Sequence, residues 1–291
     1  MQKKERKTFA EKIKARIRLY SLKNIHKRSN NRGMFILYQT LTLIVILILL
    51  EQAIRGRYEN CFTCALTLIL FLIPNFVETK LKITLPQTLE VIIILFIFSA
   101  EMLGEIREFY LRFYWWDDML HTLNGFLMAG VGFSMVDILN KNDIFKFQLS
   151  PIYMAVVSFC FSMTVGVLWE FFEFFMDLFY GTDMQKDFII SSISSVNLNP
   201  LHINSATRLT GIERVIIHGA NLAIDGLPAG ANEYTLPTGG YIDIGLIDTM
   251  NDLIVNFIGA IVFSIFGYFY IKKRGNGGFI EKFILKRKKE I

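Results

Sequence analysis

The chain has 291 residues, 53% of them hydrophobic and only 20% charged, with a formal net charge of +5. Of its 31 Lys and Arg, twelve lie in residues 1–33 and eight in residues 272–291, which leaves long uncharged runs between. This excludes an ordinary soluble globular protein and points to an integral membrane protein whose basic ends face a cytoplasmic leaflet. Membrane lipids are the expected partner, and nucleic acid is not, because topology already accounts for the basic ends.

In residues 1–32, a basic tail, Phe9, Ile13, Ile17 and Tyr20 recur at helical spacing among Lys and Arg. That pattern suits an amphipathic helix lying on an anionic leaflet, with a solvated tail as the alternative. The basic stretch is too long for a cleavable signal and no small-residue cleavage pattern follows it, so the first apolar run is expected to stay. An uncharged run of about 18 residues can cross the hydrocarbon core as a helix. Six regions meet or approach that length: Met34 to Leu50, Asn60 to Val77, Pro86 to Gly104, Met119 to Val136, Phe147 to Trp169 and Leu253 to Ile271. The third is interrupted by Glu90 and Glu101 and has a continuous uncharged core only from Val91 to Ala100.

The expected fold is therefore an all-α, six-transmembrane helical bundle: spans 1–5 in residues 33–180, span 6 in residues 248–271, and a basic cytoplasmic tail in residues 272–291. Six spans put both termini on one side, with 24 basic residues there against 7 on the other, so both termini are expected in the cytoplasm of a bacterium. Residues 181–247 are rich in Gly and hold short β-prone stretches, and are expected to form a small, partly β extracytoplasmic insert between spans 5 and 6. Asp225-Gly226 is the expected hairpin turn between Arg214 to Ile224 and the segment around Tyr234.

Ionisable residues at membrane depth are costly, and several together suggest function. Asp117 and His121 are i, i+4 at the start of the fourth span, Glu170 and Glu173 are i, i+3 at the end of the fifth, and Asp248 and Asp252 are i, i+4 just before the sixth. Each pair shares one helix face. By the expected topology all three fall at the outer edge, as do Glu51, Glu101 and Glu105. Five carboxylates and an imidazole within mutual reach cannot all stay ionised without a cation or shared protons. Oxygen ligands with one nitrogen suit Mg, Mn, Fe or Zn; Arg107 and Arg112 are the other candidate partners. The bland alternative is a wet interface, with Asp117, Asp118 and Asp248 acting at helix N-termini. Glu170 and Glu173 argue against it, since a helix C-terminus disfavours two carboxylates. Asn124 and Asn256, one turn deeper than His121 and Asp252, are expected either to support the site from behind or to bond between helices. Tyr114, Trp115, Trp116, Trp169, Phe171 and Phe172 read as an interfacial aromatic belt.

Cys61-Phe62-Thr63-Cys64 has redox-motif spacing, but cysteines at i, i+3 on a helix reach disulfide geometry poorly, so they read as small structural residues. Cys160 reads as an inert mid-span thiol, and His202 and His218 as solvated loop residues. A phosphate-binding Gly-x-x-x-x-Gly-Lys-Ser/Thr loop, His-Glu-x-x-His, Gly-x-Ser-x-Gly and Glu-x-x-His are all missing, which leaves an ATP-driven pump, a zincin, an α/β-hydrolase and a carboxylate di-iron protein unsupported.

Trp116-Asp-Asp-Met-Leu-His121-Thr-Leu-Asn-Gly125-Phe, Trp169-Glu-Phe-Phe-Glu173, Gly181-Thr-Asp-Met-Gln185 and Asp248-Thr-Met-Asn-Asp252 resemble, in order, the signature segments of the YjdF-like family of uncharacterised bacterial integral-membrane proteins, over roughly Gly33 to Ile271. The resemblance implies a compact polytopic inner-membrane protein with polar motifs near one face, and names no reaction. Members of that family join the last two segments by a short loop; here residues 186–247 intervene, which makes the insert a lineage-specific addition.

The leading functional expectation is a divalent-metal-dependent enzyme acting on a lipid-linked phosphate or ester at the outer leaflet. Asp117, His121, Glu170, Asp248 and Asp252 would hold the metal, and Glu173 would be the catalytic carboxylate that takes a proton from metal-bound water. The alternatives are a cation- or proton-coupled transporter, or a non-catalytic assembly or sensing protein that contacts an envelope partner through the 181–247 insert.

Overall fold

The computed structural model describes residues 32–80, 83–140, 149–201, 203–222, 231–273 and 278–287. The amphipathic helix expected over Phe9 to Tyr20, the Asp225-Gly226 turn and His202 lie outside them. By internal contacts the chain divides into two compact units, Met1–Ser162 with Asn256–Ile291, and Met163–Val255. Both boundaries fall within helices.

The first unit begins with α1 (Arg32–Ile54), then α2 (Tyr58–Leu70) and α3 (Ile73–Lys80). Pro74 lacks an N–H, so the ladder opens between α2 and α3, and the Tyr38 hydroxyl donates to the Phe71 carbonyl at that break, 3.1 Å away. After β1 (Ile83–Thr84), α4 (Gln87–Phe98) runs directly into a π-helix (Ser99–Ile106) and a short α5 (Phe109–Arg112). Val45, Cys64, Phe71, Ile94 and Met102 form the core among these elements. Cys61 and Cys64 carry free thiols, and Cys64 is one of the fully buried small groups in that core, as a structural role requires.

The same unit holds α6 (Trp116–Asn140) and parts of α7 (Pro151–Tyr180) and α8 (Leu246–Lys272). Lipid tails are as apolar as Leu, so helices in a bilayer associate through close packing and hydrogen bonds rather than hydrophobic burial. Glycines supply the closeness here: a Cβ at Gly125 would overlap the Asn256 carbonyl, and one at Gly259 would overlap the Thr122 carbonyl. Short side chains supply the bonds. Ser162 donates to the Gly125 carbonyl at 2.7 Å and Ser158 to the Ala129 carbonyl at 2.6 Å, while Asn124 Nδ2 donates to Asn256 Oδ1 at 3.2 Å. Of the two roles weighed for Asn124 and Asn256, the interhelical bond is the one observed.

Residues 278–287, expected to be part of a basic tail, are folded against this unit. Ile280, Phe283, Ile284 and Leu285 are buried, Phe283 meets Phe126 edge-on at 5.1 Å, and the Leu285 amide donates to Ser134 Oγ at 2.9 Å. β8 (Lys286–Arg287) then pairs antiparallel with β1. The apolar residues interleaved among the lysines drive this packing; counting charge alone hides them.

In the second unit, α7 continues to Tyr180 and ends at Gly181, whose φ of +64° and amide bond to the Asp177 carbonyl at 3.1 Å close the helix in the left-handed way that glycine favours. β2 (Ile189–Ile190) pairs antiparallel with β7 (Tyr241–Ile242), β3 (Ser192–Ser195) with β4 (Thr207–Thr210), and β5 (Ile216–Leu222) with β6 (Ala231–Thr235). The β5–β6 register sets His218 opposite Glu233, within the segments expected to flank the hairpin turn.

Among the described residues five helices are long and apolar enough to cross a membrane: Arg32–Ile54, Tyr58–Lys80, Trp116–Asn140, Pro151–Tyr180 and Leu246–Lys272. The region expected as a further span, Pro86 to Gly104, is divided between the 12-residue α4 and the 8-residue π-helix, and neither reaches spanning length by itself. The π-turn carries Glu101 and Glu105, the acids that interrupted the apolar run.

If backbone approach at the glycines holds α6 to α8, Gly125→Ala and Gly259→Ala each lose about 1–3 kcal/mol through overpacking. Thermal unfolding in detergent should show both midpoints lowered, with Gly278→Ala, where a Cβ meets nothing within 4 Å, unchanged.

Candidate metal centre

Glu170 and Glu173 lie one turn apart on α7, and Asp252 lies in the second turn of α8. All three are buried, at 4%, 7% and 2% exposure. One carboxylate oxygen from each lies within 4.8 Å of the others. Trp169 Nε1 donates to Glu173 Oε1 at 2.8 Å, which fixes the direction of that carboxylate. Carboxylate oxygens converging from two helices are the donor type that hard divalent cations take, and an oriented carboxylate such as Glu173 can hold or move a proton.

The other expected residues are placed as follows. Asp117 and His121 are one turn apart on α6, with His121 Nε2 3.4 Å from Asp117 Oδ1 and His121 buried. Asp117 and Asp118 also occupy the first turn of α6, where carboxylates favour the positive end of the helix dipole. Asp248 is buried, and its Oδ2 accepts the Lys186 amide at 2.8 Å. Glu51 pairs with Arg55 at 2.8 Å, and Arg112 pairs with Glu108 at 3.1 Å, both on the surface. In the expected aromatic belt, Tyr114, Trp115, Trp169, Phe171 and Phe172 are exposed, but Trp116 is buried, edge-on to Phe109 at 4.9 Å. Trp116 belongs to the packing of the α5–α6 corner and not to the belt.

Sequence reasoning missed Asp177, one turn beyond Glu173. Its Oδ1 accepts the Thr182 hydroxyl and the Met184 amide, each at 2.7 Å, and its Oδ2 accepts the Gln185 amide at 2.8 Å. The loop so gathered reaches α8, where Gln185 Nε2 donates to Thr249 Oγ1 at 2.5 Å beside the Lys186 to Asp248 bond. Asp243 was missed too: its Oδ1 accepts the Phe188 amide at 2.7 Å and its Oδ2 the Ile247 amide in the first turn of α8, at 2.8 Å. The available signal was the short polar segment Gly181 to Gln185 directly after an apolar helix that ends in an acid.

Taken together, a set of long apolar helices with buried carboxylates on two of them defines a polytopic helical membrane protein with a candidate acidic metal centre. The chain belongs to the family described as Predicted membrane protein (DUF2238), whose family model matches residues 36–195. That match includes Trp116 to Phe126, Trp169 to Glu173 and Gly181 to Gln185, and ends inside the 181–247 region, before Asp248 to Asp252. No curated protein and no solved structure matches the chain.

Outside the spans, the Asp187 carboxyl is held above its ordinary value of 3.8, by burial first and then by the nearby Asp183 and Asp243 carboxylates. The folded state thus keeps this proton to higher pH than the unfolded chain does, so stability from this group is present at low pH and falls as pH rises from the ordinary carboxylate value through the raised one. Asp187 is exposed, which keeps the effect small. Thermal denaturation followed against pH should show a shallow decline across that window in wild type, and a flatter one in Asp187→Asn.

Proposed function

We propose that Glu170 and Asp252 hold a divalent cation beside the Glu173 carboxylate, and that the protein is a metal-dependent membrane enzyme acting on a lipid-linked phosphate or ester. The observation that carries this reading is the convergence of three buried carboxylate oxygens within 4.8 Å. Were all three ionised, each pair at that distance would repel by about 3 kcal/mol at an effective dielectric of about 20, so the trio calls for a cation or shared protons. A divalent cation turns that repulsion into attraction. Oxygen ligands with one imidazole nitrogen suit Mg, Mn, Fe or Zn.

In this reading Glu170 and Asp252 bind the cation, which supplies charge stabilisation at the phosphate or ester. Glu173, oriented by Trp169, accepts the proton of the attacking water. Asp117, His121 and Asp248 complete the proposed ligand set on the strength of their paired spacing in sequence. Metal content by mass spectrometry of detergent-purified protein is the test. Wild type should carry stoichiometric metal after mild dialysis, and Glu170→Gln and Asp252→Asn should each lose it, as should any of Asp117→Asn, His121→Gln and Asp248→Asn that removes a true ligand. Well-folded wild type that stays metal-free after reloading with Mg, Mn, Fe(II) and Zn contradicts the reading. It leaves cation- or proton-coupled transport, or an assembly role with an envelope partner, in its place.

The same proposal includes a YjdF-like relationship, a bacterial cytoplasmic membrane, a sixth span over Pro86 to Gly104 and an extracytoplasmic 181–247 insert. The asymmetry of Lys and Arg, 24 against 7, supports it. Fluorescent-protein fusions at either end should both fluoresce as cytoplasmic reporters, whereas one silent fusion argues for an odd number of spans.

A further inference from the structure

The hydrogen bonds around Asp177 form an unbroken path between the two helices that carry the acids. Glu173 and Asp177 are one turn apart on α7. The Asp177 carboxylate gathers Thr182, Met184 and Gln185, as described above, and so folds the chain back on the end of its own helix. The folded loop then grips α8 twice, through Gln185 Nε2 on Thr249 Oγ1 and the Lys186 amide on Asp248 Oδ2. Thr249 and Asp248 lie one turn before Asp252. A Cβ at Gly245 would stand 2.6 Å from Gln185 Cβ, so loop and helix also meet without space between them.

We propose that Asp177 and residues 181–186 act as a strap that fixes the turn of α7 bearing Glu173 against the turn of α8 bearing Asp252, and that Asp177 is therefore a positioning residue for the carboxylate centre. The inference rests on the metal reading for its functional consequence but not for its geometry. The physical reason is that ligands donated by two separate helices meet only while the helices keep one register. Nothing within a single helix can enforce that, and a one-turn slip moves a ligand by about 5.4 Å. A strap anchored within one turn of each ligand confines both slip and rotation. It also explains why the Gly-Thr-Asp-Met-Gln and Asp-Thr-Met-Asn-Asp segments are both polar: each supplies one half of the same hydrogen-bonded junction.

The test uses the full-length protein in nanodiscs with spin labels at two exposed positions, Phe172 on α7 and Met250 on α8. The distance distribution and the affinity for Mn²⁺ alone, read from its free-ion EPR signal, are measured in the wild-type background and in Asp177→Ala, Gln185→Ala and Asp183→Asn. The expected result is a broadened distance distribution and at least a tenfold loss of Mn²⁺ affinity in Asp177→Ala, in line with the loss of other orienting partners of metal ligands. Gln185→Ala, which cuts the loop from Thr249 but leaves Asp177 intact, should show both effects to a lesser degree, and it decides the matter if Asp177→Ala does not fold. Asp183→Asn changes an exposed side chain of the loop that takes no part in the bonds to Asp177, Thr249 or Asp248, and should change neither readout. A sharp, unchanged distance distribution in both strap variants overturns the strap. Broadened distances with unchanged Mn²⁺ affinity overturn the positioning role. If wild type binds no Mn²⁺ yet the distances broaden, the metal reading fails while the strap stands.

Discussion

The rest of this molecule turns on one electrostatic constraint: three carboxylates on two apolar helices are brought within 4.8 Å of one another, away from water. Such an arrangement works against folding unless something compensates it. Ordinary helix packing would drive Glu170, Glu173 and Asp252 apart or out to solvent. Instead Trp169 spends its indole N–H on Glu173, and the polar loop after α7 is folded onto the neighbouring turns of both helices.

In the first unit, α6 and α8 approach until backbone meets backbone at Gly125 and Gly259, and serine hydroxyls bond directly to carbonyls of the facing helix. That mode of association suits a bilayer, where apolar surface alone gives helices no reason to prefer each other over lipid. The C-terminal segment adds to it by seating Phe283 on Phe126 and handing the Leu285 amide to Ser134.

What the sequence makes legible here follows from what is local. Run length and the crowding of Lys and Arg at the ends suffice to find five helices that can cross a membrane, because both properties are carried by contiguous residues. The i, i+3 spacing of Glu170 and Glu173 likewise places them on one face before any tertiary information is available. Other features depend on partners distant in sequence. Asp177 looks like one more acid at a helix end until the amides of Met184 and Gln185 are folded onto it. Trp116 looks like its exposed neighbour Trp115 until Phe109 covers it. The π-helix at Ser99–Ile106 has no period that a search for 3.6-residue repeats detects, so the run from Pro86 to Gly104 changes helix type at Ser99. The C-terminal segment was masked by its lysines, since charge counting ignores the apolar residues between them.

The central proposal is that Glu170 and Asp252 are cation ligands and that Glu173 stands beside them. Anomalous X-ray scattering at the manganese edge, from crystals of the full-length protein grown with Mn²⁺, tests it most directly. The account predicts one strong peak within about 2.0–2.6 Å of the Glu170 and Asp252 carboxylates, the range that hard cations take with oxygen. Density showing the three carboxylates in direct contact with one another, with no anomalous peak among them at saturating Mn²⁺, would contradict it.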